Sequence, residues 1–140
     1  MAFYTLVDSV DEKIWPDLGA SIIGQGLTVD NTLATARITA TIPVSLLVTV
    51  SAGFQNIPLA GGQNTILGIE IRSFTAADVA KGQAGNTMFI DRDTAGVAIN
   101  VSMIEVLLAG EYFDLAAFSI GQTLTNVEIL TALQFWILDR

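Results

Sequence analysis

An all-β domain, an antiparallel β-sandwich or barrel with one short helix near residues 75–81, is the fold predicted for this chain, on three observations. First, Arg37 to Ser51 alternates apolar and polar residues with Ile38, Ala40, Ile42, Val44, Leu46, Val48 and Val50 on one face, broken only by Leu47; a period of two held this long means strand. Second, Val97 to Leu124 reads as strand, turn, strand, turn, strand, with reversals at Ala109-Gly110 and Gly121-Gln122, since glycine takes the positive φ of a tight turn. Third, the remaining apolar runs are short and punctuated by Gly, Asn and Asp, the signature of many short strands in one antiparallel fold.

In chain order, Phe3 to Val7 is a short strand and Asp8 to Lys13 an acidic turn, followed by Trp15-Pro16, where proline holds Trp15 extended. Residues 1–30 have two readings. They form an arm that docks Phe3, Tyr4 and Trp15 on a neighbouring subunit, or a first strand and loop packed on the chain's own core. Gly24-Gln25-Gly26 lacks the third glycine of a dinucleotide fingerprint and reads as a turn. Fifteen residues from Arg37 to Ser51 would extend roughly 50 Å, too far for one straight strand in a small domain. A bent edge strand, or two strands meeting near Pro43, resolves this. Loops at 51–54 and 61–64 flank Ile57 to Leu59, and Ile66 to Arg72 returns to alternation, with Leu67, Ile69 and Ile71 on one face.

Thr75-Ala-Ala-Asp78 has capping-box spacing and Gly82 a stop, so the helix is placed at 75–81. Gln83 to Asn86 reads as loop and Thr87 to Ile90 as a short strand. Asp91-Arg-Asp-Thr-Ala-Gly96 opens like a calcium loop, but Ser102 stands where the bidentate glutamate belongs; it reads as a turn, and no metal or cofactor is expected. Ile129 to Leu138 is apolar at odd and even positions alike. A strand buried on both faces, a strand whose second face meets another subunit, and a terminal helix all fit that pattern.

At 140 residues the chain suits a single domain. Half of it (51%) is hydrophobic and only 14% charged, against roughly 25% charged in ordinary soluble domains. Much of the surface is therefore expected to be covered by other copies or another protein, the alternative being a surface of Thr, Ser, Asn and Gln. Six basic residues against fourteen acidic ones give a net charge of −8, which disfavours nucleic acid and anionic membrane as partners. Residues 38–69 carry no charge, yet Pro43, Pro58 and Gly61-Gly62 interrupt them, so no membrane span is expected. The start has no signal-peptide pattern, which points to synthesis in a cytoplasm. With neither Cys nor His, thiolate chemistry and the usual neutral-pH base are missing. Glu105 and Glu111 flank the Ala109-Gly110 reversal and could pair across a hairpin as glycosidase carboxylates do; they read instead as solvated outer-face residues, and no enzymatic activity is expected.

Ile66 to Thr75, ILGIEIRSFT, followed by Asn100 to Leu124, resembles tailed-bacteriophage structural cement, or capsid decoration, proteins. Leu67-Gly68-Ile69-Glu70-Ile71-Arg72 is similar to that family's first strand. Ile104-Glu-Val-Leu-Leu-Ala-Gly110 is similar to its hairpin, with Ile104 in place of a valine, and Ala116-Ala117 through Gly121-Gln122-Thr123-Leu124 to its closing turn. Residues 1–64 do not match, and the tail through Trp136 is more apolar than the family pattern. The resemblance implies a non-enzymatic, homotrimeric β-domain on the exterior of a virion, bound to the major capsid protein and bridging capsomers. Phe3, Tyr4, Trp15, Phe135 and Trp136 are then expected to supply contacts. Two other classes remain: a fibre or carbohydrate-binding module stacking Tyr112, Trp15 or Trp136 on sugars, and another virion part such as a tail subunit.

Overall fold

The computed structural model describes residues 2–16, 26–57, 64–90 and 96–139. They form ten strands: β1 (Ala2–Leu6), β2 (Glu12–Ile14), β3 (Leu27–Asp30), β4 (Arg37–Ala40), β5 (Val44–Gln55), β6 (Thr65–Phe74), β7 (Ala80–Ile90), β8 (Gly96–Leu107), β9 (Tyr112–Ile120) and β10 (Leu124–Asp139). Two antiparallel sheets pack as a β-sandwich. One has the order β1-β10-β5-β8; the other has the order β3-β4-β9-β6-β7, with β2 also on β9. The alternating faces meet in one core, where Leu46, Val48, Val50 and Phe54 of the first sheet lie with Ile38, Leu67, Ile69, Ile71, Phe113 and Leu115 of the second. Each such side chain contributes about 1.5–3 kcal/mol by leaving water.

The long alternating run resolves into two strands that meet near Pro43. β4 belongs to one sheet and β5 to the other. Every even position from Ile38 to Val50 is buried except Ile42, which is 44% exposed. Ile42 stands at the bend where the chain changes sheets, and its side chain closes over Gly26, whose φ is +89°. Contrary to an edge assignment, β5 is an interior strand, with β10 on one side and β8 on the other.

No α-helix occurs among the described residues; a 3₁₀ turn at Leu33–Thr35 is the one helical element there. The helix expected at 75–81 is instead a tight hairpin connection. The Thr75 amide donates to the Val79 carbonyl (2.8 Å), the Asp78 amide to the Thr75 carbonyl (3.0 Å), and Asp78 sits at φ +64°. The Thr75 hydroxyl does accept an amide bond, but from Val79 (3.1 Å). A left-handed residue closing a three-residue loop turns the chain back into a strand, so local capping chemistry was recruited by a hairpin. The supposed loop at 83–86 is likewise strand, continuous within β7 and paired with β6 from Thr65↔Ile90 to Phe74↔Ala80.

The reversals at Gly110 (φ +86°) and Gly121 (φ +113°) are present, but neither makes a hairpin. At each of them the chain leaves one sheet and enters the other, β8 to β9 and β9 to β10. The C-terminal apolar run is a strand and not a helix: β10 pairs along β5 from Glu128↔Gln55 to Asp139↔Ser45. Residues 2–16 follow the second reading of the N-terminus. β1 pairs with β10, β2 with β9, and Tyr4, Leu6, Ile14 and Trp15 are buried in this chain's own core. Gly24, Gln25 and Asp91 through Ala95, including the calcium-loop-like segment, lie outside the described residues.

Candidate interaction surface

The two sheets turn very different faces outward. On the first sheet, strand pleat and register set the outward residues in rows across β10, β5 and β8. Leu130–Gly53–Ala98 comes first, then Ala132–Ser51–Asn100, Gln134–Thr49–Ser102 and Trp136–Leu47–Ile104, followed by Leu138 beside Ser45–Val106. At about 3.3 Å per residue this band is roughly 30 Å long. None of those residues is charged. Of the described charged residues, Glu128, bonded to the Asn56 amide, and Asp139 border it, and Lys81 reaches the Val106 carbonyl at its β8 edge. Its centre is hydroxyl-rich, with Thr49 and Ser102 3.2 Å apart. Its far end is apolar: Ile104 is 69% exposed, and Val106, Trp136 and Leu138 are each about half exposed. A monomer rarely shows contiguous apolar surface of this kind without a use for it.

The second sheet faces outward with charge and aromatic rings that are already satisfied. The Asp114 carboxylate is buried and takes two bonds from Arg72, from Nε (2.8 Å) and Nη2 (2.9 Å), with Lys13 Nζ 3.2 Å away. Arg72 also reaches Asp11 at 3.6 Å. Next to it Glu70, only 6% exposed, accepts from Gln83 Nε2 (3.0 Å) and borders a 270 Å³ pocket lined by Ser9, Asp11, Gln83, Phe118 and Ile120. Burial first, then the Asp11 carboxyl beside it, push the Glu70 carboxyl up to about 7, with Arg72 opposing. Phe118 lies across Gly68, where an added Cβ would stand 2.1 Å from the ring. Tyr112 is held between the Arg37 guanidinium (4.2 Å from the ring centre) and Phe74 (ring centres 5.1 Å apart), and its hydroxyl donates to Asp78 (2.7 Å). Among the described residues no group of three or more acids or other ligands is disposed to hold a metal ion.

The five aromatic residues expected to supply contacts are placed differently. Phe3 is 64% exposed on the outer face of β1 opposite Glu128, and Trp136 is 47% exposed at the apolar end of the same sheet. Tyr4 and Trp15 are inside; the Trp15 indole donates to Asn31 (3.0 Å). Phe135 points to the core side of β10 and is partly buried. Trp136 therefore shares the apolar end of this face with Leu47, Ile104, Val106 and Leu138, which sequence reasoning passed over. One signal was available: Leu47 is the single break in the alternation of 37–51, an apolar residue on the polar face.

Glu105 and Glu111 are not solvated hairpin carboxylates. Both turn inward to Lys81, at 3.9 and 2.5 Å, while Glu105 accepts from the Ser73 hydroxyl (2.6 Å) and Glu111 from the Leu108 amide (2.8 Å). Lys81 and that amide hold the Glu111 carboxyl below the usual range. This arrangement ties β7 to the β8–β9 crossing and serves structure. Of the three aromatics considered for sugar stacking, Tyr112 and Trp15 are each 8% exposed, which leaves Trp136 alone with an accessible ring. Comparison with protein-family models and with curated proteins gives no match.

Proposed function

We propose that this chain is a non-enzymatic structural protein that decorates and stabilises a bacteriophage capsid shell, seated on the major capsid protein through the outer face of β10-β5-β8 and bridging neighbouring capsomers. The observation that carries the reading is that face. A chain of net charge −8 keeps one whole band of its surface uncharged and makes its end apolar, which suits permanent contact with protein and not with solvent. The opposite sheet, where the acids are paired with Lys13, Arg72 and Lys81, then faces solvent on the virion exterior. The resemblance of residues 66–124 to capsid decoration proteins supplies the shell as partner. A tail subunit would use the same kind of face, and electron microscopy of labelled particles separates head from tail.

The test is co-sedimentation of the purified protein with undecorated shells. The wild type is expected to pellet with shells, and the Ile104→Ser/Trp136→Ser double variant to lose affinity by about tenfold or more, since central aromatic and aliphatic anchors dominate such contacts. Equal binding by a folded double variant, or none by the wild type, sinks the proposal.

A further inference from the structure

Among the described residues, one edge of the first sheet is only partly paired. β1 pairs with β10 only as far as Ala2↔Ile129, whereas β10 continues along β5 to Asp139. Among the described residues no strand lies on the other side of residues 130–138. Along these nine residues every second one turns its backbone N–H and C=O away from β5, toward about 30 Å of edge with no described partner strand. Natural proteins protect such edges with charge, proline or a bulge. Here the segment Leu-Thr-Ala-Leu-Gln-Phe-Trp-Ile-Leu138 contains no charge and no proline, and register shifts only beyond Ile137. Both faces carry large side chains: Leu130, Trp136 and Leu138 outward, with Leu133, Phe135 and Ile137 only partly buried on the core side.

We infer that this edge pairs with the same edge of a second copy, β10 against β10, antiparallel about a two-fold axis through Gln134. The register follows from geometry. A two-fold axis normal to the sheet keeps outer faces together, so the numbers of opposed residues must add to an even sum. The open stretch from 130 to 138 has its midpoint at 134. That register sets Leu130 opposite Leu138, Thr131 opposite Ile137, Ala132 opposite Trp136, Leu133 opposite Phe135, and Gln134 opposite itself. A small residue thus meets the largest, and the two amides on the axis can bond to each other. Residues 130–138 of each copy fill this stretch of the other, and Asp139, the last residue of β10, comes up to the end of the other copy's β1 at Ala2. Two copies of a chain of net charge −8 meet with least repulsion at a stretch that carries no charge, and the same segment is itself the extended, uncharged strand that such an edge can pair. The two four-stranded sheets become one of eight strands, and the uncharged outer face doubles in extent.

This inference is independent of what the assembly sits on. It predicts a dimer where the family resemblance implies a trimer. Light scattering on the eluting full-length protein at micromolar concentration is expected to give twice the chain mass of 14.9 kDa. Gln134→Lys sets two ammonium groups face to face on the axis and is expected to weaken the dimer by at least about tenfold, with the denaturation midpoint of the monomer unchanged. Gln134→Cys introduces the sole thiol of the chain and is expected to crosslink two copies on mild oxidation, whereas Ser102→Cys, in the middle of the same outer face, does not. A monomer, a trimer, or a dimer that is indifferent to Gln134→Lys and fails to crosslink at position 134 overturns the pairing. Loss of shell binding with the dimer intact would count against the decoration reading alone.

Discussion

Replacing Glu70 with glutamine tests whether a buried carboxyl on the second sheet holds its proton in the folded state. Glu70 is pushed from 4.5 to about 7 by burial and by Asp11. The folded chain therefore binds this proton more tightly than the unfolded chain. The associated stability is fully present below about pH 4.5. It declines as pH rises toward 7, because over that window the unfolded chain ionises freely and the folded one resists. A displacement of this size corresponds to about 3 kcal/mol at full conversion. The side chain opens on a pocket of 270 Å³, where water screens the charge, so about 1–2 kcal/mol is the working expectation. Glutamine keeps the shape, can still accept from Gln83, and offers Asp11 a donor as the protonated acid does. Urea denaturation at about pH 4 and about pH 8 is the assay. Glu70→Gln should match the wild type at the lower pH and exceed it by about 1–2 kcal/mol at the higher. A variant destabilised equally at both, or a wild type that gains on the variant as pH rises, would show that the proton is not held there.

Other outcomes follow from the same faces. Asp114→Ala strands Arg72 and Lys13 against a buried site and should cost about 3 kcal/mol, read from the denaturation midpoint; a loss below about 0.5 kcal/mol would mean the cluster is surface decoration. Gly68→Ala forces the Phe118 ring off its seat and should cost about 1–3 kcal/mol, a penalty that Phe118→Leu relieves in a double-mutant cycle; additive losses would show that the two residues are not in contact. Lys81→Met removes the cation that depresses the Glu111 carboxyl. Wild-type stability from that group is present above about pH 4.5 and is lost as pH falls, so the variant should show a flatter acid limb in thermal melts. An unchanged limb would assign the depression to the Leu108 amide.

Most strands could be read from the sequence because period two is a local signal. The alternation of 37–51 and of 66–72 named the core-facing residues apart from Ile42 at the sheet change, but it did not show that Gly68 and Glu70, on the other face of β6, are buried as well. What failed were inferences that depend on distant partners. Thr75 and Asp78 carry helix-capping chemistry, and only the pairing of β6 with β7 decides that the same atoms close a hairpin instead. Gly110 announces a reversal, but whether the chain turns within a sheet or steps to the other one depends on which strand is waiting. The uncharged outer face was half legible. Trp136 and the two-sided apolar tail stood out, whereas Ile104 and Val106 became recognisable as outward only once their register against Leu47 and Ser45 was known. Tyr4 and Trp15 were misplaced because aromatic character does not tell which side of a strand faces water.

The last of the described strands, β10, sits in the first sheet between β1 and β5. That arrangement sets an order of assembly. As the polypeptide emerges, β5 can find β8 and β6 can find β7 through moderately spaced contacts, but β1 must wait for a partner more than a hundred residues away in sequence. Until β10 arrives, one side of β5 is bare and Tyr4 and Leu6 have no sheet to close over. Contacts this distant make folding slow and leave unpaired strands exposed in the interval. During synthesis the protein therefore passes through a stage with open edges on β5, on β1 and finally on β10 itself. Pairing of those edges between nascent copies then competes with folding.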